Sequence, residues 1–457
     1  MKEFSFLNSY IKGETLMGGW GVIDTGLASL SAFLLVSYLK VFDYGVYLLV
    51  IAFFSLVSGL SIDLLQGVVF NDVARFIGEG EEARAKRLFL ENTVFQLSIA
   101  FLLSAAVFMG AELVASWYGE DIASLIRIIS PVFLISTLYT TMRMLFKVRL
   151  QFSIMATRSI VSKILRLAFL GSFILFASLN VKYALIAYVG SFLLSVLVCI
   201  PSFARAYAPW KHIKAAPEHI LWRITKSYGK WSLFGESIKS NVLDVKPWLI
   251  KLFVNTEAVA LYSVAESAYG VLKGFLPTDT LMVLFPRVVR DSQRTQKTLL
   301  SSIKYLVLVS IALGIIGAVA VPLLIRFLFP HYIDSIPLFL ILLLALPFLA
   351  FRAPTAAFFV ASRRQRFLFV RQIVIVITSL VLPLILLPLF GVVGMAIERV
   401  VTAAIMSAFI FWHLARHDIP LVAWREIFRF DKNDRALLLR LVRLLQSWFR
   451  KKMQKWR

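Results

Sequence analysis

The chain has 457 residues, 59% of them hydrophobic and only 16% charged, with a formal net charge of +23. A soluble globular domain is about half apolar and about a quarter charged. These proportions exclude an ordinary soluble fold and point to an all-α polytopic membrane protein, with the basic excess to be read as topology before nucleic-acid binding.

Stretches long enough to cross a hydrocarbon core of about 30 Å recur twelve times, near residues 17–39, 44–70, 92–118, 124–146, 159–180, 183–204, 231–254, 258–286, 303–329, 336–361, 368–390 and 392–414. The N-terminal arm lacks a basic region leading into a short apolar core, so no cleavable signal peptide is expected and the first span directs insertion. Span 1 places Asp24, Ala28, Ser31 and Tyr38 on one face. Arg143 lies near the inner end of span 4, and Lys163 and Arg166 lie in the inner half of span 5. Arg143 and Lys163 are expected to snorkel toward water. Cys199, in span 6, is the single cysteine; it is expected to be a buried, inert thiol, and no intrachain disulfide is possible.

Span 7 carries Glu236, Lys239, Asp244, Lys246 and Lys251. A charge deep in the bilayer costs several kcal/mol unless it faces water or a partner. At 100° per residue these five positions fall within an arc of roughly 160°, while Trp231, Ile238, Val242, Val245 and Leu249 cluster on the other side. The spacing predicts a helix with one wall for lipid or packed protein and one for a hydrated, net positive cavity. Pro247 predicts a bend there.

Span 8 sets Glu266 and Lys273 on one face beside Tyr262 and Tyr269. Gly270 and Gly274 form a GxxxG, read as close helix packing or, with Pro277, as a bend that opens a lateral gate. Arg352 lies well inside span 10, and Glu398 and Arg399 near the outer end of span 12 read as a packing pair. Beyond span 12, Leu437, Leu441, Leu444, Leu445 and Trp448 alternate with arginines at helical spacing, as an amphipathic helix on the inner leaflet would.

Basic residues concentrate on one side: six in the central segment 205–230 and twelve in the tail from Arg416. The opposite side shows only Lys40, Arg127 and Lys182. Both termini are therefore expected to be cytoplasmic. A shift of 215 residues pairs Tyr47 with Tyr262, Gly59 with Gly274, Phe70 with Phe285, Arg75 with Arg290 and Arg149 with Arg364. The expected domains are thus an N-lobe over 1–204, a basic cytoplasmic linker over 205–230, a C-lobe over 231–414 and a basic tail over 415–457. Substrate in such two-half transporters sits between the halves.

Signals for catalysis are poor. Gly78-Glu79-Gly80-Glu81-Glu82-Ala83 matches GxGxxA only formally, with no preceding strand. There is no P-loop, no HExxH and no paired histidine spacing, so neither catalytic residues nor metal ligands are assigned and no cofactor is expected.

The segment YGVYLLVIAFFSLVSGLSIDLLQGVVFNDVARFIGEGEEARAKRLF (44–89) resembles the second-span signature of polysaccharide flippases in the multidrug/oligosaccharidyl-lipid/polysaccharide (MOP) exporter superfamily. LYSVAESAYGVLKGFLPTDTLMVLFPRVVR (261–290), LIRFLFPHYIDSIPLFLILLL (324–344), ASRRQRF (361–367) and LFGVVGMAIERVVTA (389–403) are similar to its later segments. The resemblance implies a two-lobed, MATE-like fold that works by alternating access. It further implies translocation of polyprenyl-linked oligosaccharide across the cytoplasmic membrane, for surface-glycan assembly, with polysaccharide-assembly proteins as partners. Charged residues that such members use match Asp24, Lys239, Lys246, Glu266 and Lys273 here. Span 2 has only Asp63, near its inner end, where the peptidoglycan-precursor branch has an arginine, so that branch is disfavoured.

The combined reading is a flippase and not an enzyme. Its substrate-binding cations are Lys239, Lys246, Lys251, Lys273, Arg352 and Arg166. Its cavity acids are Asp24, Glu236, Asp244 and Glu266, with Asp24 expected to take a coupling proton or sodium ion. The alternatives are a cation-coupled multidrug antiporter of the same fold, a membrane glycosyltransferase or polymerase subunit, and a membrane scaffold.

Overall fold

A computed structural model of the chain describes residues 23–61, 66–118, 122–224, 226, 245–276, 278, 281, 285, 292–362 and 364–417. Glu236, Lys239, Asp244, Asp63, Pro277 and the basic tail lie outside the described residues. The chain divides into two compact units. The first comprises Met1–Val264, Leu324–Ser335 and Ser379–Met395, and the second Ala265–Leu323, Ile336–Thr378 and Ala396–Arg457.

The regular elements among the described residues are all helices, with no strand among them. Among the described residues, eight helices are long and apolar enough to cross a membrane, nine if one bent pair counts as a single span. In chain order α1 is Ile23–Tyr38, α2 Val41–Ser61, α3 Gln66–Gly78, α4 Glu82–Met109, α5 Ala111–Tyr118, α6 Ala123–Ile129, α7 Val132–Val148, α8 Phe152–Phe176 and α9 Val181–Tyr207. They are followed by α10 Ile220–Ile224, α11 Lys246–Phe253, α12 Thr256–Gly274, α13 Ser292–Leu328, α14 Ser335–Leu343, α15 Leu346–Ala361, α16 Gln365–Phe390 and α17 Val392–His417.

Hydropathy locates most of these spans and misjudges some ends. The apolar run of the third span starts near residue 92, but α4 starts at Glu82 and stops at Gly110. Residues 82–91 are rich in Glu, Ala, Arg, Lys and Leu, strong helix formers, so the helix continues past the hydrocarbon into the polar layer. At 28 residues α4 is about 42 Å long, well beyond a hydrocarbon core. Likewise α8 begins at Phe152, so Arg158 is a helical residue and not the loop cation that its place before span 5 suggests. The tenth span is bent by 44° between α14 and α15. Pro347 lies in the first turn of α15, where its missing N–H costs no helical bond.

In the first unit, the basic ends of α3, α4, α7 and α9 close over one apolar cluster with α10. Val69, Leu88, Phe89, Leu145, Phe146, Trp210 and Ile220 are fully or almost fully buried there, and Cys199 joins them at 3% exposure. Lys86 ties this cluster to the chain after α9, donating to the carbonyls of Trp210 and Ile213, each at 2.8 Å. Elsewhere the helices turn large apolar side chains outward: Phe101, Leu102, Trp117, Phe176 and Phe327 are all exposed. So much exposed apolar surface on long helices is a lipid-facing surface, and the protein is a multi-pass membrane protein.

Candidate functional site

Among the described residues, two groups of ionisable side chains lie within the spans, one in each unit. In the first, α8 contributes Arg158, Ser159, Lys163 and Arg166 from one side of the helix. Asp24, in the first turn of α1, accepts a 2.6 Å hydrogen bond from Ser159 and forms an ion pair with Lys163. The Lys163 ammonium also donates to the Asp24 backbone carbonyl at 3.0 Å. An acid on a neighbouring helix thus holds Lys163, a partner invisible in a single-helix reading.

Arg166 donates to the Tyr47 hydroxyl, and its guanidinium carbon lies 5.3 Å from the Tyr188 ring centroid. Arg158, 9% exposed, is sandwiched between Tyr139 and Phe192, at 3.9 and 4.2 Å from their centroids. Its Nε and Nη2 have no hydrogen-bond partner among the described residues. Ring quadrupoles stabilise a cation held away from water, and Asp24 lies within electrostatic range of Arg158, so the rings and a nearby acid together account for its place in the span.

The described part of span 7 also belongs to this unit. Lys246 opens α11 and is buried, at 6% exposure. Pro247 stands in the first turn of α11, where its missing N–H costs no helical bond. Lys251 projects over the Tyr118 ring at 4.6 Å, beside Trp248, which packs edge-on against the same tyrosine. Glycine matters nearby, where a Cβ on Gly45 would sit 2.2 Å from the Thr256 carbonyl oxygen. By contrast, Gly270 and Gly274 face open space among the described residues. The close packing expected of that GxxxG is therefore not found among them; close backbone approaches are instead at Gly45 and at Gly394, where a Cβ would sit 2.1 Å from the Leu386 carbonyl oxygen.

In the second unit, Glu266 and Lys273 of α12 meet Arg352 of α15, Arg371 of α16 and Arg399 of α17. Arg399 donates to Glu266 at 3.2 Å. Arg352 lies within electrostatic range of Arg371, Arg399 and Tyr269, and Lys273 within range of Arg399, Glu266 and Arg352. The Nε atoms of Arg352 and Arg371 have no hydrogen-bond partner among the described residues. Glu398, expected to pack with Arg399, has a partner on its own helix. It is fully buried and accepts a 2.9 Å hydrogen bond from Thr402. Adjacent residues on a helix diverge by about 100°, so Glu398 and Arg399 face different neighbours. Among the described residues, four cations and one acid thus converge within spans of this unit.

Sequence reading singles out Lys273, Glu266 and Arg352 of this group but passes over Arg371, although a charge inside an apolar span is itself the signal. In the first unit it finds Asp24 and Arg166 but not the aromatic clamp on Arg158.

Comparison with known proteins places this architecture. An inward-facing multidrug resistance MATE family transporter of the MOP superfamily superposes with a TM-score of 0.70 at 14% identity, covering 86% of this chain and 95% of that one. The lipid II flippase MurJ, in an inward closed conformation, gives a TM-score of 0.68 at 14% identity, covering 96% of this chain and 99% of that one. The MATE multidrug transporter DinF-BH, in a ligand-bound complex, gives 0.55, also at 14% identity, covering 89% and 93%. At such identities the likeness establishes the fold. No curated protein sequence matches the chain. Residues 34–335 do match a family described as polysaccharide biosynthesis protein, and the chain belongs to that family, built on the all-helical fold of the MOP exporters.

Proposed function

We propose that the protein is a flippase that moves polyprenyl-(pyro)phosphate-linked oligosaccharide from the inner to the outer leaflet of the cytoplasmic membrane. The observation that carries this reading is the set of cations Lys273, Arg352, Arg371 and Arg399 inside the spans, grouped with the acid Glu266. A phosphate or pyrophosphate must shed water to enter a membrane protein, and guanidinium and ammonium groups replace that hydration. Arg352 and Arg371 keep donors uncommitted among the described residues for this purpose. Membership of a polysaccharide biosynthesis family supports a glycan cargo. The lipid tail would remain in the bilayer while the sugar crosses between two six-span halves, with both termini in the cytoplasm.

The competing reading is a cation-coupled multidrug antiporter, favoured by the similarity to MATE transporters. Such a pump needs uncommitted acid in its cavity, whereas Asp24 and Glu266 are each held by a cation. Complementation of a deletion strain separates the two. Wild type should restore surface glycan, and Lys273→Ala/Arg352→Ala, present at equal membrane level, should leave lipid-linked precursor on the cytoplasmic leaflet. Normal glycan in the deletion strain together with altered sensitivity to cationic drugs would favour the antiporter.

A further inference from the structure

A groove of about 750 Å³ lies in the first unit, between the polar end of α4 and the chain around α10. One end is charged and the rest is apolar. Arg87, Glu91 and His219 form the charged end, and Leu90, Val94, Phe95 and Trp222 line the remainder. At 100° per residue Arg87, Leu90, Glu91, Val94, Phe95, Ser98, Phe101 and Leu102 lie within an arc of roughly 140°. The groove therefore runs on into a stripe in which Val94, Phe95, Phe101 and Leu102 are exposed.

The charges at the head of this stripe are unequally committed. Glu91 is saturated: Oε1 accepts from Arg87 and lies 3.1 Å from His219, and Oε2 accepts the backbone N–H groups of Ile220 and Leu221. Of the five donors on Arg87, Nε goes to Glu91 and Nη2 faces His219 at 3.1 Å, which leaves guanidinium hydrogens open to the groove. On the rim, the Lys226 ammonium sits 5.1 Å from the Trp222 ring centroid, a cation and an indole at one level. Tryptophan beside a basic residue is characteristic of the headgroup layer.

We propose that this groove binds an anionic phospholipid, its phosphate on Arg87 and Lys226 and one acyl chain along Val94 to Leu102. The dimensions agree. From Arg87 to Leu102 α4 rises about 22 Å, and one headgroup layer plus one leaflet of hydrocarbon spans roughly 20–22 Å. The basic end of α4 faces the cytoplasm by the charge distribution, so the lipid comes from the inner leaflet, where anionic headgroups attract such residues. Such a lipid requires only that α4 spans the membrane, whatever the protein transports.

The test uses the full-length protein in nanodiscs carrying a trace of photoactivatable phospholipid with an anionic headgroup, or a zwitterionic lipid with the same acyl chains. Cross-linked peptides are located by mass spectrometry. The anionic lipid should label segments 90–102 and 219–226 about fivefold more than the zwitterionic one, and excess inorganic phosphate should not compete. Arg87→Gln should abolish the preference. Ser98→Trp, which fills the groove without touching a charge, should lower labelling by both lipids. Equal labelling by the two lipids in wild type, labelling unchanged in both variants, or displacement by free phosphate would each overturn the proposal.

Discussion

Lys163 and Asp24 show how much a single partner matters inside a span. Both side chains are partly enclosed, at 25% and 31% exposure. Lys163→Ala would leave the Asp24 carboxylate with the Ser159 hydrogen bond and only the more distant Arg158 for charge balance, a loss of about 1–3 kcal/mol. The neutral pair Asp24→Asn/Lys163→Met should recover most of that loss, because no charge is stranded. Thermal unfolding in detergent checks this, and equal losses in the single and double variants would contradict the pairing. The same scale distinguishes the glycines. Gly45→Ala drives a methyl group into the Thr256 carbonyl at 2.2 Å, and overpacking of this kind costs about 1–3 kcal/mol. Gly270→Ala meets nothing within 4 Å and should leave the unfolding midpoint unchanged or raise it, since alanine is the better helix former.

At the scale of elements, α10 depends on α4. Glu91 accepts from two consecutive backbone N–H groups at the start of α10, at 3.0 and 2.9 Å, and from Arg87 at 2.8 Å. Glu91→Gln keeps an acceptor but removes the charge. Charge-assisted hydrogen bonds are about twice as strong as neutral ones, so amide exchange across 219–224 should quicken about tenfold. Hydrogen exchange of the purified protein measures it, and unchanged protection would show that packing of Ile220 and Ile224 alone seats α10. This dependence is not legible in the sequence, where 205–230 reads only as a polar, basic linker. Spans, by contrast, are legible, because hydropathy acts within one segment and needs no neighbour. Their ends are not: the helix of α4 extends from Glu82, ahead of its apolar stretch, and α8 reaches back to enclose Arg158. For the same reason the candidate site is half readable. A charge in an apolar run announces itself, as Asp24, Glu266, Lys273 and Arg352 do. Its partner, on a helix more than a hundred residues away, does not: spacing alone assigns Lys163 to the water layer and Arg399 to Glu398.

At the scale of the whole molecule, the fold of MOP exporters and membership of a polysaccharide biosynthesis family define the class of protein, and intramembrane cations suggest the cargo. If those cations receive a phosphorylated headgroup, their removal should impair transport more than it impairs folding. Arg371→Ala should then resemble Lys273→Ala in transport, although nothing in their spacing along the chain pairs them. The two variants should each slow transport roughly ten- to a hundredfold while leaving the unfolding midpoint near that of wild type, one lost charge-assisted contact being worth about 1.5–3 kcal/mol. The most direct test is flipping in liposomes that contain the purified protein and a fluorescent polyprenyl-pyrophosphate oligosaccharide, read as loss of signal on adding a membrane-impermeant quencher. Wild type should expose inner-leaflet substrate to the quencher, and Lys273→Ala/Arg352→Ala should keep that inner-leaflet share protected. Equal accessibility with wild-type protein, the double variant and protein-free liposomes would contradict a flippase that works through these cations.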